Sequence, residues 1–165
     1  MGALEFFSPS PLFTKSVLAQ LLLARIHLDR GETHLAKKTC MGALDRLESA
    51  ETPALSYQAW YVLGVIEEAI GEPKQAYRAY LRAHHHLENL RSHLKAEEMK
   101  IAFLKDKLEV YEALVRMCLE RGDTAANREA AFHYIEQAKS RSLADLIAFR
   151  SQGPPEHSPS GRDPE

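Results

Sequence analysis

The stretch WYVLGVIEEAIGEPKQAYRAYLRA, residues 60–83, decides how the rest of the chain is read. Bulky apolar residues recur at three- and four-residue steps ahead of Gly71, which makes one apolar stripe on a first helix. Gly71 ends that helix, because the chain must reverse there and a positive φ suits glycine. Pro73 fits the first turn of a second helix, where its missing N–H is not needed. Ala76 and Ala83 are small enough for the second helix to approach the first, and Tyr80 between them fills the groove. The stretch predicts a helical hairpin.

The same pattern extends outward in both directions when the chain is aligned on Gly31, Gly71 and Gly122. Eleven residues before each glycine stand Gln20, Trp60 and Tyr111; eight before stand Leu23, Leu63 and Leu114; seven before stand Ala24, Gly64 and Val115. Ala36, Cys40 and Ala43 follow Gly31 as Ala76, Tyr80 and Ala83 follow Gly71. In the third unit the small–large–small run comes four residues late, as Ala131, Ile135 and Ala138. No such hairpin buries its stripe alone, so three of them are expected to stack into a solenoid. The expected domain is a helical repeat array over residues 17–149, with units of about 17–50, 57–90 and 95–149. A leading segment, 1–16, holds Pro9 and Pro11. Residues 150–165 contain four prolines and no large apolar side chain, and are expected to be a disordered tail or linker.

Composition agrees. The chain has 165 residues, 27% charged and 45% hydrophobic, with a formal net charge of −2. Its 22 Leu and 22 Ala far exceed its 11 Val plus Ile, a bias toward helix formers and against an α/β enzyme. Near-neutral charge argues against nucleic acid as a partner. No apolar run approaches the length of a membrane span, and the first residues carry Glu5 and no basic region, so a cytoplasmic protein is expected.

Trp60, Leu63, Gly64, Gly71, Ala76, Tyr80 and Ala83 resemble the tetratricopeptide-repeat (TPR) signature. The middle unit departs from it where Glu67 replaces an aromatic residue, and the first where Gln20 and Cys40 stand for larger ones. Phe103–Glu112 and Ala131–Leu146, above all the run Gln137-Ala-Lys-Ser-Arg-Ser-Leu143, resemble repeats that precede the caspase-like peptidase of CHAT-family proteins. The resemblance implies an all-α, right-handed α-solenoid of three TPR-like helical hairpins. It also implies a fragment: a regulatory or recruiting arm without its downstream caspase-like domain.

In such repeats the first helix of each hairpin lines a concave peptide-binding face. The resemblance places Leu18, Leu21, Arg25, Leu28 and Asp29 there from the first unit, and Gln58, Tyr61, Val65 and Glu68 from the second. Glu109, Glu112, Arg116 and Glu120 come from the third. Five acids against two bases, beside an apolar end, suit a protein or peptide partner with basic and apolar residues. The clamp that repeat adaptors use for chaperone C-termini is absent, because its positions are held by Leu21, Arg25, Val62, Glu109 and Ala113. Phe6, Phe7 and Phe13 of the leading segment are candidates to cover part of the face.

The remaining chemistry reads as structural. Cys40 and Cys118 fall on apolar repeat positions and are expected to be core residues, not catalytic thiols. His84, His85 and His86 point about 100° apart on a helix and His93 stands about 10 Å beyond, so no metal site is expected and the triplet reads as a solvated face. Lys139, Arg141 and Arg150 suit a helix C-terminus or a contact with a following domain. No catalytic or cofactor-binding residue is assigned. A rival to the interaction module is a stand-alone structural homo-oligomer, built through a seam at residues 90–118: Leu90, Leu94, Ile101, Leu104, Leu108, Tyr111, Val115 and Cys118. A homodimer therefore stays open.

Overall fold

A computed structural model describes residues 11–48, 50, 52–93 and 108–151. Every element among them is a helix: α1 (Pro11–Asp29), α2 (Thr33–Glu48), α3 (Pro53–Ile70), α4 (Pro73–His93), α5 (Leu108–Glu120) and α6 (Ala125–Ser151). Helices α1 and α2, α3 and α4, and α5 and α6 pack as antiparallel pairs, and α2 packs on α3 as α4 packs on α5. Helix α1 begins at Pro11, so the second half of the expected leading segment belongs to the first helix. Helix α6 likewise runs past residue 149. Phe6, Phe7 and residues 94–107, with Leu94, Ile101 and Leu104, lie outside the described residues, as do 152–165 and the side chains of His93, Lys139, Arg141 and Arg150.

The turns follow from the three glycines. Gly31 and Gly71 have φ of 75° and 85°, and each closes its helix with the same pair of bonds. Gly71 N–H donates to Glu68 O at 2.9 Å and Glu72 N–H to Glu67 O at 2.8 Å, and Gly31 and Glu32 repeat this onto Leu28 and His27. This is the glycine-terminated cap that lets a chain leave one helix and start the next within two or three residues. Pro53 and Pro73 open α3 and α4 in the first turn. At Gly122, φ 113°, the reversal is looser and longer, four residues against three at Gly31 and two at Gly71. There Thr124 starts α6 by accepting the Asn127 N–H on its hydroxyl at 3.2 Å.

Two apolar clusters lie side by side, and α3 walls both. The first joins Val17, Leu21 and Ala24 of α1 and Ala36, Cys40, Ala43, Leu44 and Leu47 of α2 to Leu55, Ala59, Val62, Leu63 and Ile66 of α3. The second gathers Tyr57 of α3, Ala76, Tyr80, Ala83 and Leu87 of α4, and Val110, Tyr111, Ala113, Leu114 and Met117 of α5. On α6, Ala131 is buried, while Tyr134 and Ala138 pack on the second cluster from its edge. Ile135, expected to be the large residue of that unit, and Tyr134 are both half-buried, and it is Tyr134 that packs on the second cluster. The longer Gly122 turn shifts α6 and with it the face that meets the core.

The three departures from the repeat signature each have a partner. Gln20 Oε1 accepts from Arg46 at 3.0 Å, and Ser16 accepts from the same guanidinium nitrogen at 2.8 Å, tying α1 to α2. Phe13 lies under that guanidinium, 5.3 Å from ring centre to Cζ, and belongs to the first core and not to a groove. Cys40 is fully buried, and its thiol donates to Ala59 O at 3.4 Å. Glu67, only 5% exposed, is paired with Lys37 Nζ at 2.8 Å, so a buried charge is neutralised where an aromatic ring was expected.

Gly64 is where α3 and α4 touch. A Cβ built on it would stand 2.6 Å from Tyr80 Cδ1 and 2.8 Å from Cζ, closer than side chains approach. Tyr80 is fully buried, so its ring has no space into which to move. Gly64→Ala should therefore cost about 3 kcal/mol through overpacking, measured as a drop in the urea midpoint. In Gly64→Ala/Tyr80→Leu the total loss should fall at least about 1 kcal/mol short of the two single losses added. Additive losses would mean that the two residues do not interlock.

Candidate functional site

The expected concave face comes from α1, α3 and α5, and the structure brings part of it around Tyr61. Burial raises the Tyr61 hydroxyl above the ordinary phenol range; Glu109 and Glu68 add to that rise, and Arg25 and Arg116 oppose it. Five of the expected residues, from three helices, thus share one electrostatic neighbourhood. Arg116 is held in place: its Nη2 donates to Glu68 Oε1 and Oε2 at 2.8 and 2.9 Å, and its Nη1 to Glu120 at 3.4 Å. These contacts raise the Arg116 guanidinium further above its usual range. Beneath them the Tyr61 and Tyr80 rings meet with centroids 5.7 Å apart. The Tyr80 hydroxyl is raised by burial and by the nearby Glu68 and Tyr61. Tyr80 thus runs from Gly64 in the core to the floor of this face.

Other expected residues divide. Glu109 and Glu112 are exposed on α5, and Arg25 and Asp29 on α1. Leu18 is 37% exposed. Val65 and Gln58 are half-buried, with the Gln58 amide donating to the Tyr57 hydroxyl at 3.2 Å. Leu21 is not a groove residue: at 4% exposure it belongs to the first core cluster, and Leu28 packs on the same cluster. Leu21 and Leu28, about two turns apart on α1, face inward, where the resemblance places them on the concave side. Arg116 is paired with Glu68 and Glu120, so the net negative charge of the face rests on its other acids, with Glu109 and Glu112 exposed.

A second concavity lies on the α2–α4 side. A groove of about 830 Å³ has Trp60 and Leu63 of α3 in its lining, with Leu44, Leu47, Asp45 and Glu48 of α2 and Arg82, His86 and Leu90 of α4. The Arg82 guanidinium lies over the Trp60 ring, 4.5 Å from its centre. Sequence reasoning assigned Trp60 to the repeat signature alone and missed this groove. Its signal was present in the second helices, where Met41, Asp45 and Glu48, and likewise Arg82, His86 and Asn89, recur at three- and four-residue steps.

The histidine triplet is not a uniformly solvated face. His84 packs edge-on to Tyr111 and Tyr134, with centroids 5.2 and 5.5 Å away, and its Nε2 meets Gln137 Oε1 at 2.9 Å. It joins α4 to α5 and α6. His85 is exposed, and His86 is half-buried at the groove. Among the described residues no three His, Cys, Asp or Glu side chains are grouped to hold a metal ion. Burial, with Glu67 nearby, pushes the Cys40 thiol up to about 12, far from a nucleophilic thiolate. In the 90–118 seam, Tyr111 and Cys118 are buried in the chain's own core, Leu90 and Val115 are half-buried, and Leu108 is 37% exposed. No described helix is long and apolar enough to cross a membrane.

Comparison with family models, curated proteins and solved structures finds no match to the chain.

Burial, then His85 and Arg82, hold the His86 imidazole below its ordinary range. The unfolded chain consequently takes up a proton at this site first as pH falls through about 6.5. His86 therefore favours the fold above that pH and ceases to do so below it. The melting temperature should fall more steeply between pH 7 and 5 in the native chain than in His86→Gln, followed by circular dichroism. Identical slopes would show that His86 is not desolvated.

Proposed function

We propose that this protein is a non-catalytic interaction module: a right-handed α-solenoid of three TPR-like hairpins whose concave face binds a peptide or partner domain. The observation that carries this reading is the gathering of Arg25, Tyr61, Glu68, Glu109 and Arg116, from the first helices of all three pairs, around one surface. The matched turns at Gly31 and Gly71 and the Gly64–Tyr80 contact support the hairpin part of it. The ligand is a segment with basic side chains for Glu109 and Glu112 and an apolar side chain for the Leu18 end. The resemblance of the last third to CHAT-family repeats makes the module the regulatory or recruiting arm of a larger caspase-like protein in the cytoplasm. Self-assembly through the 90–118 seam has less support, because Tyr111 and Cys118 already serve the internal core.

Fluorescence anisotropy with a labelled peptide that carries Lys between Leu anchors tests the assignment. Glu109→Lys/Glu112→Lys should weaken it by at least about tenfold, roughly 1.4 kcal/mol, and should bind the Glu-for-Lys twin more tightly than the native chain does. Equal affinity for both peptides in both proteins would exclude this face as the site.

A further inference from the structure

Helix α1 is apolar on two opposite sides. Val17, Leu21 and Ala24 face the core, yet Leu22 is 61% and Ile26 51% exposed, and Leu12, Leu18 and Leu23 are exposed as well. At 100° per residue, Lys15, Leu18, Ala19, Leu22, Ile26 and Asp29 fall on the side opposite the core, and every one of them is exposed. This is a continuous stripe of a kind that marks an interaction surface rather than scattered surface leucines.

The stripe is self-complementary. Leu22 stands at its centre, with Leu18 and Ile26 four residues to either side. Lys15 and Asp29 are seven residues to either side, about 10 Å from the centre along the axis. Neither Lys15 nor Asp29 has an ion-pair partner among the described residues. A two-fold axis through Leu22 would set Leu22 against its own copy once, and Leu18 against Ile26 and Lys15 against Asp29 twice each. Ala19 beside the axis leaves space for the helices to approach, and a shallow crossing of about 20° keeps the terminal charges within reach of each other. A preceding helix of arbitrary sequence would not call for opposite charges placed symmetrically about an apolar centre.

We propose that the outer face of α1 pairs with the same face of a second copy of this chain, antiparallel and about a two-fold axis at Leu22, to form an isologous homodimer. The surface shares Leu18 and Asp29 with the edge of the expected concave face, and Tyr61, Glu109 and Glu112 take no part in it.

Sedimentation equilibrium of the full chain tests it over about 1 to 200 µM, the range suited to an interface at the small end of the stable class. The average mass should rise from 18.6 kDa toward twice that value, and Leu22→Glu should hold it at the monomer. The decisive arm uses two charge variants. Lys15→Glu and Asp29→Lys should each be monomeric alone, because each places like charges opposite one another. Mixed, they should form a heterodimer, because both contacts are again oppositely charged. Both sites are exposed, so the variants should keep native helicity by circular dichroism, and this arm does not depend on Leu22→Glu folding. A monomer at every concentration, with no heterodimer on mixing, would overturn the proposal, whether residues 1–10 or another partner covers the stripe. A dimer that survives Leu22→Glu and both charge variants would overturn it too, placing self-association on another surface.

Discussion

The fold depends on one close approach, the Tyr80 ring against the backbone of Gly64. With a side chain at residue 64, α4 would have to stand off from α3 and Tyr80 would need another site. Tyr80 is a member of the second core cluster, while Leu63 and Ile66 beside Gly64 belong to the first. The contact therefore fixes the distance between the two clusters as well as between two helices. It also sets the height of the Tyr80 hydroxyl beneath Tyr61, and so the floor of the surface that Arg25, Glu68, Glu109 and Arg116 surround. A packing constraint in the core thus becomes a shape on the outside.

Charge is used differently in the interior and at the surface. Glu67 is buried and would be costly without Lys37, so that pair ties α2 to α3 where a ring might have packed. Arg116 is partly exposed, and its Nη2, shared between the two carboxylate oxygens of Glu68, joins α5 to α3 by a charge-assisted contact. The first contact spans the first cluster and the second contact the second cluster. Each pair of helices is joined to its neighbour by apolar packing and by at least one such polar tie. Beyond these ties, Glu112 of α5 and Leu18, Leu22 and Ile26 of α1 are exposed.

Much of the fold was legible because the turn chemistry and the packing pattern are local. Gly31, Gly71 and Pro73 mark reversals by their own conformational preferences, and the small–large–small run around Tyr80 states the helix contact directly. The third unit was harder to place: the reversal at Gly122 lacks the tight pair of bonds and is the longest of the three, and on α6 it is Tyr134 that packs on the second cluster. Departures such as Glu67 and Gln20 looked like weak matches, because their partners Lys37 and Arg46 are distant in sequence. The concave set came from the resemblance to tetratricopeptide repeats, and of it the structure gathers Arg25, Tyr61, Glu68, Glu109 and Arg116 in one neighbourhood. Leu21 was misplaced by the same logic: a residue near the edge of a stripe turns inward or outward by how two helices are rotated, which spacing alone does not state. The Trp60 groove needed three helices to be assembled before its walls could be seen together.

Because α3 is covered on both sides, it should be the last part of the molecule to open. Native-state hydrogen exchange followed residue by residue is the most direct measurement of that claim. The slowest amides should lie in α3 from Val62 to Glu67 and in α4 from Ala79 to Ala83, exchanging only with global unfolding, while α1 and α6 open earlier. If α1 or the α5–α6 pair kept its protection while the amides around Gly64 and Tyr80 exchanged by local opening, the Gly64–Tyr80 contact could not be what organises the fold.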